Sequence, residues 1–285
     1  MGFFLKSKRA GSIPAAIFFV LFFSLLSILG TVFLAVCTGN PVNKVTHSLW
    51  SSKTFNIDAG KFFVSKGLET ATGDERKLLL QKGPEISATV TGILDNSIFH
   101  SEIDKISNTI YTYYSSGSKN NQTVDITPAV HLALLGLESV DPQFSKLKKE
   151  LDKIKPIKLQ PQKNGPNAGK VKSDFKLGIS LLLILTLLLL LLYLIFAKSL
   201  KGALRVLGIT ALSDGLFLTI LYFVAKAIVN HQASTADESL TREAIPIAAH
   251  SLLSPIITLG IPEVIIGAAL ISTSYVKALK KVEVS

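Results

Sequence analysis

Two carboxylates, Asp214 and Glu263, stand inside long apolar stretches of the chain. A charge at the centre of a bilayer costs roughly 3 kcal/mol or more, so such residues face a bundle interior or a water-filled cavity. Asp214 lies about ten residues into its stretch, and Glu263 about twelve residues from the end of its own. At about 1.5 Å per helical residue, both fall roughly 15–18 Å from the same membrane boundary. Two carboxyls at one depth can share a proton or bind a cation, which makes them a candidate intramembrane ion or proton site. The structural alternative is that each stays protonated and hydrogen-bonds a neighbouring helix, with Asp214, between Ser213 and Gly215, capping a break. Pro255, Gly260 and Pro262 around Glu263 form a candidate helix break, while Ala211 and Gly215 in the third span and Gly260, Gly267 and Ala268 in the fourth are small enough to let these helices approach closely. Such a break would free backbone carbonyls to line the site.

The remaining chain offers little further chemistry. His47, His100, His131, His231 and His250 are scattered, with no second histidine at helical spacing and no cysteine to complete a metal set. Gly165 to Lys170 is one residue short of a phosphate loop, and Val171 stands where Ser or Thr is required. Asn121-Gln122-Thr123 fits the short N-glycosylation pattern, which occurs often by chance. No nucleophile elbow or dinucleotide fingerprint is present, so neither catalysis nor a metal or other cofactor is expected.

The elements that must position Asp214 and Glu263 are four apolar spans. A hydrocarbon core of about 30 Å needs about 20 apolar residues in a helix. Residues 13–37, 177–197, 203–229 and 247–275 meet that requirement. Mean hydropathy is +0.43, and charged residues make up 18%, against roughly 25% in soluble domains. The first span is longer than the apolar region of a cleaved signal peptide. Leu34-Ala35-Val36-Cys37 has the outline of a lipoprotein box, but Val36 stands where a small residue is usual. Cys37 is the only cysteine, so no intrachain disulfide forms.

Orientation follows from the basic flanks. Lys6, Lys8 and Arg9 precede the first span, Lys198, Lys201 and Arg205 lie between the second and third, and Lys277, Lys280 and Lys281 follow the fourth. The positive-inside rule places these segments (1–12, 198–202 and 276–285) in the cytoplasm. Residues 230–246 carry Asp237, Glu238 and Glu243 against Arg242, and are expected outside together with residues 38–176. The net charge of +10 is thereby spent on membrane flanks. No basic face remains for nucleic acid.

Residues 38–154 read as helical. Phe99, Ile103, Ile106, Ile110 and Tyr113 recur at spacings of four and three, with Ser97 as N-cap and Gly117 after the end. Ile86, Val90, Ile93 and Leu94 mark a preceding helix, and Phe62, Phe63 and Leu68 another near the membrane. Thr127-Pro128 opens a shorter one through Leu137, while Asp141-Pro142 opens one carrying Phe144, Leu147, Leu151 and Ile154. Val124 to Ile126 is too short a strand to build on. From Lys155 to Lys176, prolines, glycines and lysines indicate a stalk, read as a solvated linker, with contact to anionic head groups or wall polymers as the functional alternative.

The fold class is therefore an all-α membrane protein, with four transmembrane helices and a helical extracytoplasmic domain between the first and second. Ser97 to Gly117 followed by Asp125-Ile126-Thr127-Pro128 resembles the outer domain of uncharacterised bacterial four-pass envelope proteins. That resemblance implies the fold and no activity. The span order is also similar to FtsX/MacB-type ABC permease subunits, which implies transmission of cytoplasmic ATPase motion to an outer domain. The expected function is a non-enzymatic plasma-membrane protein whose outer domain binds a partner or ligand, with the bilayer and a protein partner or oligomer as its surroundings. The alternatives are a membrane subunit of a transport or mechanotransmission complex, and an ion- or proton-coupled transporter using Asp214 and Glu263.

Overall fold

The computed structural model describes residues 2–116, 121–148, 154–160, 168–197 and 199–279. Gly117, Leu151 of the helix expected after Pro142, Lys198, Lys280, Lys281 and residues 161–167 of the expected stalk lie outside them. Four helices are long and apolar enough to cross a membrane, and a helical region lies between the first and second. The chain is thus an all-α membrane protein, as its composition implies.

The spans belong to α1 (Gly2–Val32), α7 (Ala168–Phe196), α8 (Leu200–Ser234) and α9 (Ser239–Leu279). A π-helical turn, Phe33–Cys37, finishes the first span. Mean hydropathy is 3.1 for the second span but 1.8 and 1.9 for the third and fourth. All four helices exceed their expected apolar limits: α1 begins eleven residues before Ile13, α7 begins nine residues before Leu177, and only Thr235 to Glu238 separate α8 from α9. Hydropathy marks where a helix meets lipid, whereas backbone hydrogen bonding continues into polar surroundings. Pro255, Gly260 and Pro262 do not break the fourth span, because α9 is continuous through all three. This corrects the expected helix break. A proline removes one backbone bond and bends a helix, while the other bonds of the ladder persist.

The chain divides into two units, one formed by the first span with Ser173–Ala225 and Leu253–Ser285, the other by Gly39–Lys172 with Lys226–Leu252. The second unit contains α2 (Pro41–Trp50), α3 (Lys53–Thr70), α4 (Gly73–Leu94), α5 (Ser97–Ser116) and α6 (Thr127–Glu138). Gly39, at φ 77°, turns the chain into α2. Asn40 then caps that helix by accepting from the Val42 and Asn43 amides at 2.9 and 3.3 Å, with Pro41 as the first helical residue. Ile86 (0% exposed) is the most buried large apolar side chain of this unit. The backbones of α3 and α4 approach so closely that a side chain at Gly60 would collide with the Ser87 carbonyl oxygen.

Asn56 is also fully buried. Its Nδ2 donates to the Trp50 carbonyl at 2.8 Å and to the Asp95 carboxylate at 2.5 Å, and its backbone carbonyl accepts from the Thr91 hydroxyl at 3.2 Å, while its side-chain Oδ1 has no partner among the described residues. The amide thereby satisfies the last carbonyl of α2 and ties it to the residue that ends α4. The Trp50 ring packs against Phe55, Phe99 and His100 with centroids 6.0–6.3 Å apart.

Three sequence expectations change in this unit. The cap of α5 is Asn96 rather than Ser97, since Asn96 Oδ1 accepts from the Ile98 amide at 2.8 Å. The segment after Pro142 forms a 3-10 turn, Pro142–Leu147. Within the segment read as a stalk, Ile157–Leu159 forms a strand, β2, antiparallel to β1 (Gln122–Val124), with Val124 opposite Ile157. Leu159 is buried there with Tyr113 and Val124, and Ile106, Ile110 and Ile126 pack around them. A run of three residues carries too little periodicity for the sequence to reveal this pairing.

Asp141 caps the 3-10 turn through the Gln143 amide at 2.8 Å and pairs with Lys82 Nζ at 3.0 Å. The Gln143 backbone N–H first, and then Lys82, hold its carboxyl below the usual carboxylate range. A depressed folded-state pKa adds stability that is complete above the unfolded value of about 3.9 and is lost as pH falls through the folded value. Asp141→Asn is therefore expected to melt below the native protein at neutral pH, with the difference closing in acid below about pH 4. Thermal unfolding followed by circular dichroism across that range measures it.

Candidate functional site

The third and fourth spans form an antiparallel hairpin whose seam is made of glycine. Gly208 meets Gly267 and Gly215 meets Gly260, at a spacing of seven residues on each helix. A Cβ on Gly215 would lie 2.6 Å from both the Gly260 carbonyl oxygen and the Val264 amide nitrogen. The two backbones are therefore in contact, as small residues permit in lipid, where packing rather than hydrophobicity drives association. Gly260 is accounted for by this contact and not by a break. Asp214 is the chain neighbour of Gly215, and Glu263 Cβ sits 2.9 Å from where a Gly215 side chain would begin. The seam thus carries both carboxyl-bearing residues to one level of the hairpin.

The first span completes the arrangement. Ser24, Ser27 and Thr31 follow one another at spacings of three and four, which places them on one face of α1. Ser27 and Thr31 are buried, each 5% exposed. Ser24 Oγ donates to Asp214, 2.9 Å from each carboxyl oxygen. Ser27 Oγ donates to Glu263 Oε1. Thr31 turns back onto its own helix, donating to the Ile28 carbonyl at 2.6 Å. Each carboxyl thus has a hydroxyl partner from the same helix, while Glu263 Oε2 is buried without a partner among the described residues.

Beside this cluster lies an open pocket of about 320 Å³, lined mostly by apolar side chains such as Phe23, Leu183 and Leu259, with Ser27 and Glu263 at its edge. The second span contributes Thr186 and Tyr193, buried at 4% and 5% exposure, and Tyr193 stacks on Phe19 of α1 at 6.4 Å. Most of its leucines face outward, in keeping with a lipid-facing helix.

The structure therefore brings Asp214 and Glu263 together and leaves Pro255 and Pro262 as interior helix positions. Sequence reasoning missed Ser24, Ser27 and Gly208. The signal for the serines was available: hydroxyls at helical spacing in an apolar span are expected to face a polar partner on another helix. A double-mutant cycle of Ser27→Ala and Glu263→Gln should give a coupling of about 0.6 kcal/mol, and at most about 1.7 kcal/mol, the range of interhelical hydrogen bonds in lipid. Strict additivity of the two unfolding free energies would show that this bond contributes nothing.

No family model, curated protein or solved structure matches the chain.

Proposed function

We propose that the chain is a non-enzymatic multi-pass protein of the plasma membrane, with both termini cytoplasmic and a helical extracytoplasmic domain that binds a partner or ligand. The observation that carries this reading is that Gly39–Lys172 with Lys226–Leu252 makes a compact unit with its own buried centre. A span bundle alone needs only short connections, so a folded domain of this size supplies a recognition surface. The basic flanks support its placement outside. Crosslinking in native membranes followed by mass spectrometry should recover a recurrent partner joined to lysines of this domain, such as Lys61 and Lys77. Deleting residues 56–154 should abolish that capture while the spans still insert. Tags at Met1 and Ser285 accessible on intact cells would overturn the orientation.

The hydroxyl–carboxyl cluster favours a second reading, an ion- or proton-coupled transporter. Proton exchange or coordination of a small cation is the chemistry available to two carboxyls with hydroxyl partners at mid-membrane depth. In proteoliposomes carrying a pH-sensitive dye, Asp214→Asn with Glu263→Gln should reduce cation-dependent proton movement to that of empty vesicles. Unchanged movement would remove this reading and leave the cluster as helix-to-helix adhesion.

A further inference from the structure

Between Arg205 and Lys226 the third span contains no lysine or arginine. Those intervening residues span about 30 Å as a helix, the thickness of the hydrocarbon core. Arg205 therefore stands at the boundary between hydrocarbon and head groups. Its guanidinium is held from two sides. Nε donates to Ser274 Oγ at 3.3 Å, and the carbon of the guanidinium lies 4.5 Å from the centre of the Tyr275 ring. Ser274 is fully buried and donates its own hydrogen bond to the Ile271 carbonyl at 2.6 Å, which leaves its oxygen free to accept. The side chain is thus oriented before anything binds, and the terminal nitrogens carry its remaining donors.

The ion pairs formed among the described residues leave Arg205 out. Asp214 is more than two helical turns further along the same helix. Lys201, one turn before Arg205, lies on the same face and adds a second positive charge. An oriented guanidinium fork matches the oxygens of a phosphate, and its depth matches a lipid head group.

We propose that Arg205, oriented by Ser274 and Tyr275 and assisted by Lys201, binds the phosphate of an anionic lipid head group at this end of the third span. Tyr275 covers one face of the guanidinium, so the phosphate approaches along the edge bearing the terminal nitrogens. Arginine rather than lysine suits this geometry, since an ammonium group has no planar fork to lay on the ring.

The test is native mass spectrometry of the full chain in mild detergent, titrated separately with phosphatidylglycerol, phosphatidylcholine and inorganic phosphate. The native chain should prefer phosphatidylglycerol over phosphatidylcholine by about fivefold or more, the effect of one basic side chain at an anionic surface, and inorganic phosphate should not displace the lipid. Arg205→Ala should remove most of the preference, Arg205→Lys should retain part of it, and Lys201→Gln should weaken it. Equal binding of the two lipids by the native chain would overturn the proposal without recourse to any variant. So would a full preference in Arg205→Ala with a native melting temperature, and displacement by inorganic phosphate would reassign the site to a soluble anion.

Discussion

Gly215→Ala should destabilise the span bundle by about 1–3 kcal/mol, the cost of overpacking a closed interface, with the upper part of that range expected. Both atoms that the new methyl would meet at 2.6 Å belong to the backbone of the facing helix, so no side-chain rotation relieves the clash. The helices must separate, and Glu263, whose Cβ is 2.9 Å from the same point, moves with them. The expected consequence is twofold: a lower unfolding midpoint in mixed micelles, and loss of the coupling between Ser27 and Glu263. Gly178→Ala is the control. It lies in the second span with nothing within 4 Å of its Cβ position, so alanine there should be neutral or slightly favourable through its helix propensity. Equal behaviour of the two variants would contradict the glycine seam.

The other large effect lies in the helical domain. Ile86→Ala should cost about 2–5 kcal/mol, combining lost burial with the cavity left behind. Ile86 is 0% exposed in α4, the helix whose backbone packs directly on α3, so the site has little freedom to collapse. Leu80, on the same helix, is 63% exposed, and Leu80→Ala should fall within about 0.5 kcal/mol of the native protein. Under the proposed function, Ile86→Ala also lowers partner capture because the domain is lost, whereas Leu80→Ala lowers capture only if Leu80 belongs to the recognition surface. Thermal unfolding measured beside crosslinking yield separates the two cases.

These predictions rest on features of unequal visibility in the sequence. Four spans were legible because transfer of about 20 apolar residues into lipid is a local, additive property of composition. The helices of the domain were legible from stripes such as Phe99 to Tyr113, since one buried face imposes its period on the residues along it. Asp214 and Glu263 stood out because a carboxyl within lipid is costly wherever the rest of the chain goes. The sequence by itself thus determined the membrane class, the helical order and the two residues that most demand an explanation.

Tertiary structure alone decided what surrounds them. The hydroxyl partners of Asp214 and Glu263 come from a helix some 190 and 236 positions away in the chain, a separation across which periodicity carries no information. Gly260 read both as a break point and as a small residue permitting close helix approach; the continuous helix removes the first reading, and only the antiparallel pairing of α8 and α9 selects Gly215 as its partner. The β1–β2 pairing is likewise a contact between two runs of three residues, each too short to announce itself. Burial preference is written residue by residue, but hydrogen bonds and close backbone approach belong to pairs of residues, and only the folded chain selects the pairs.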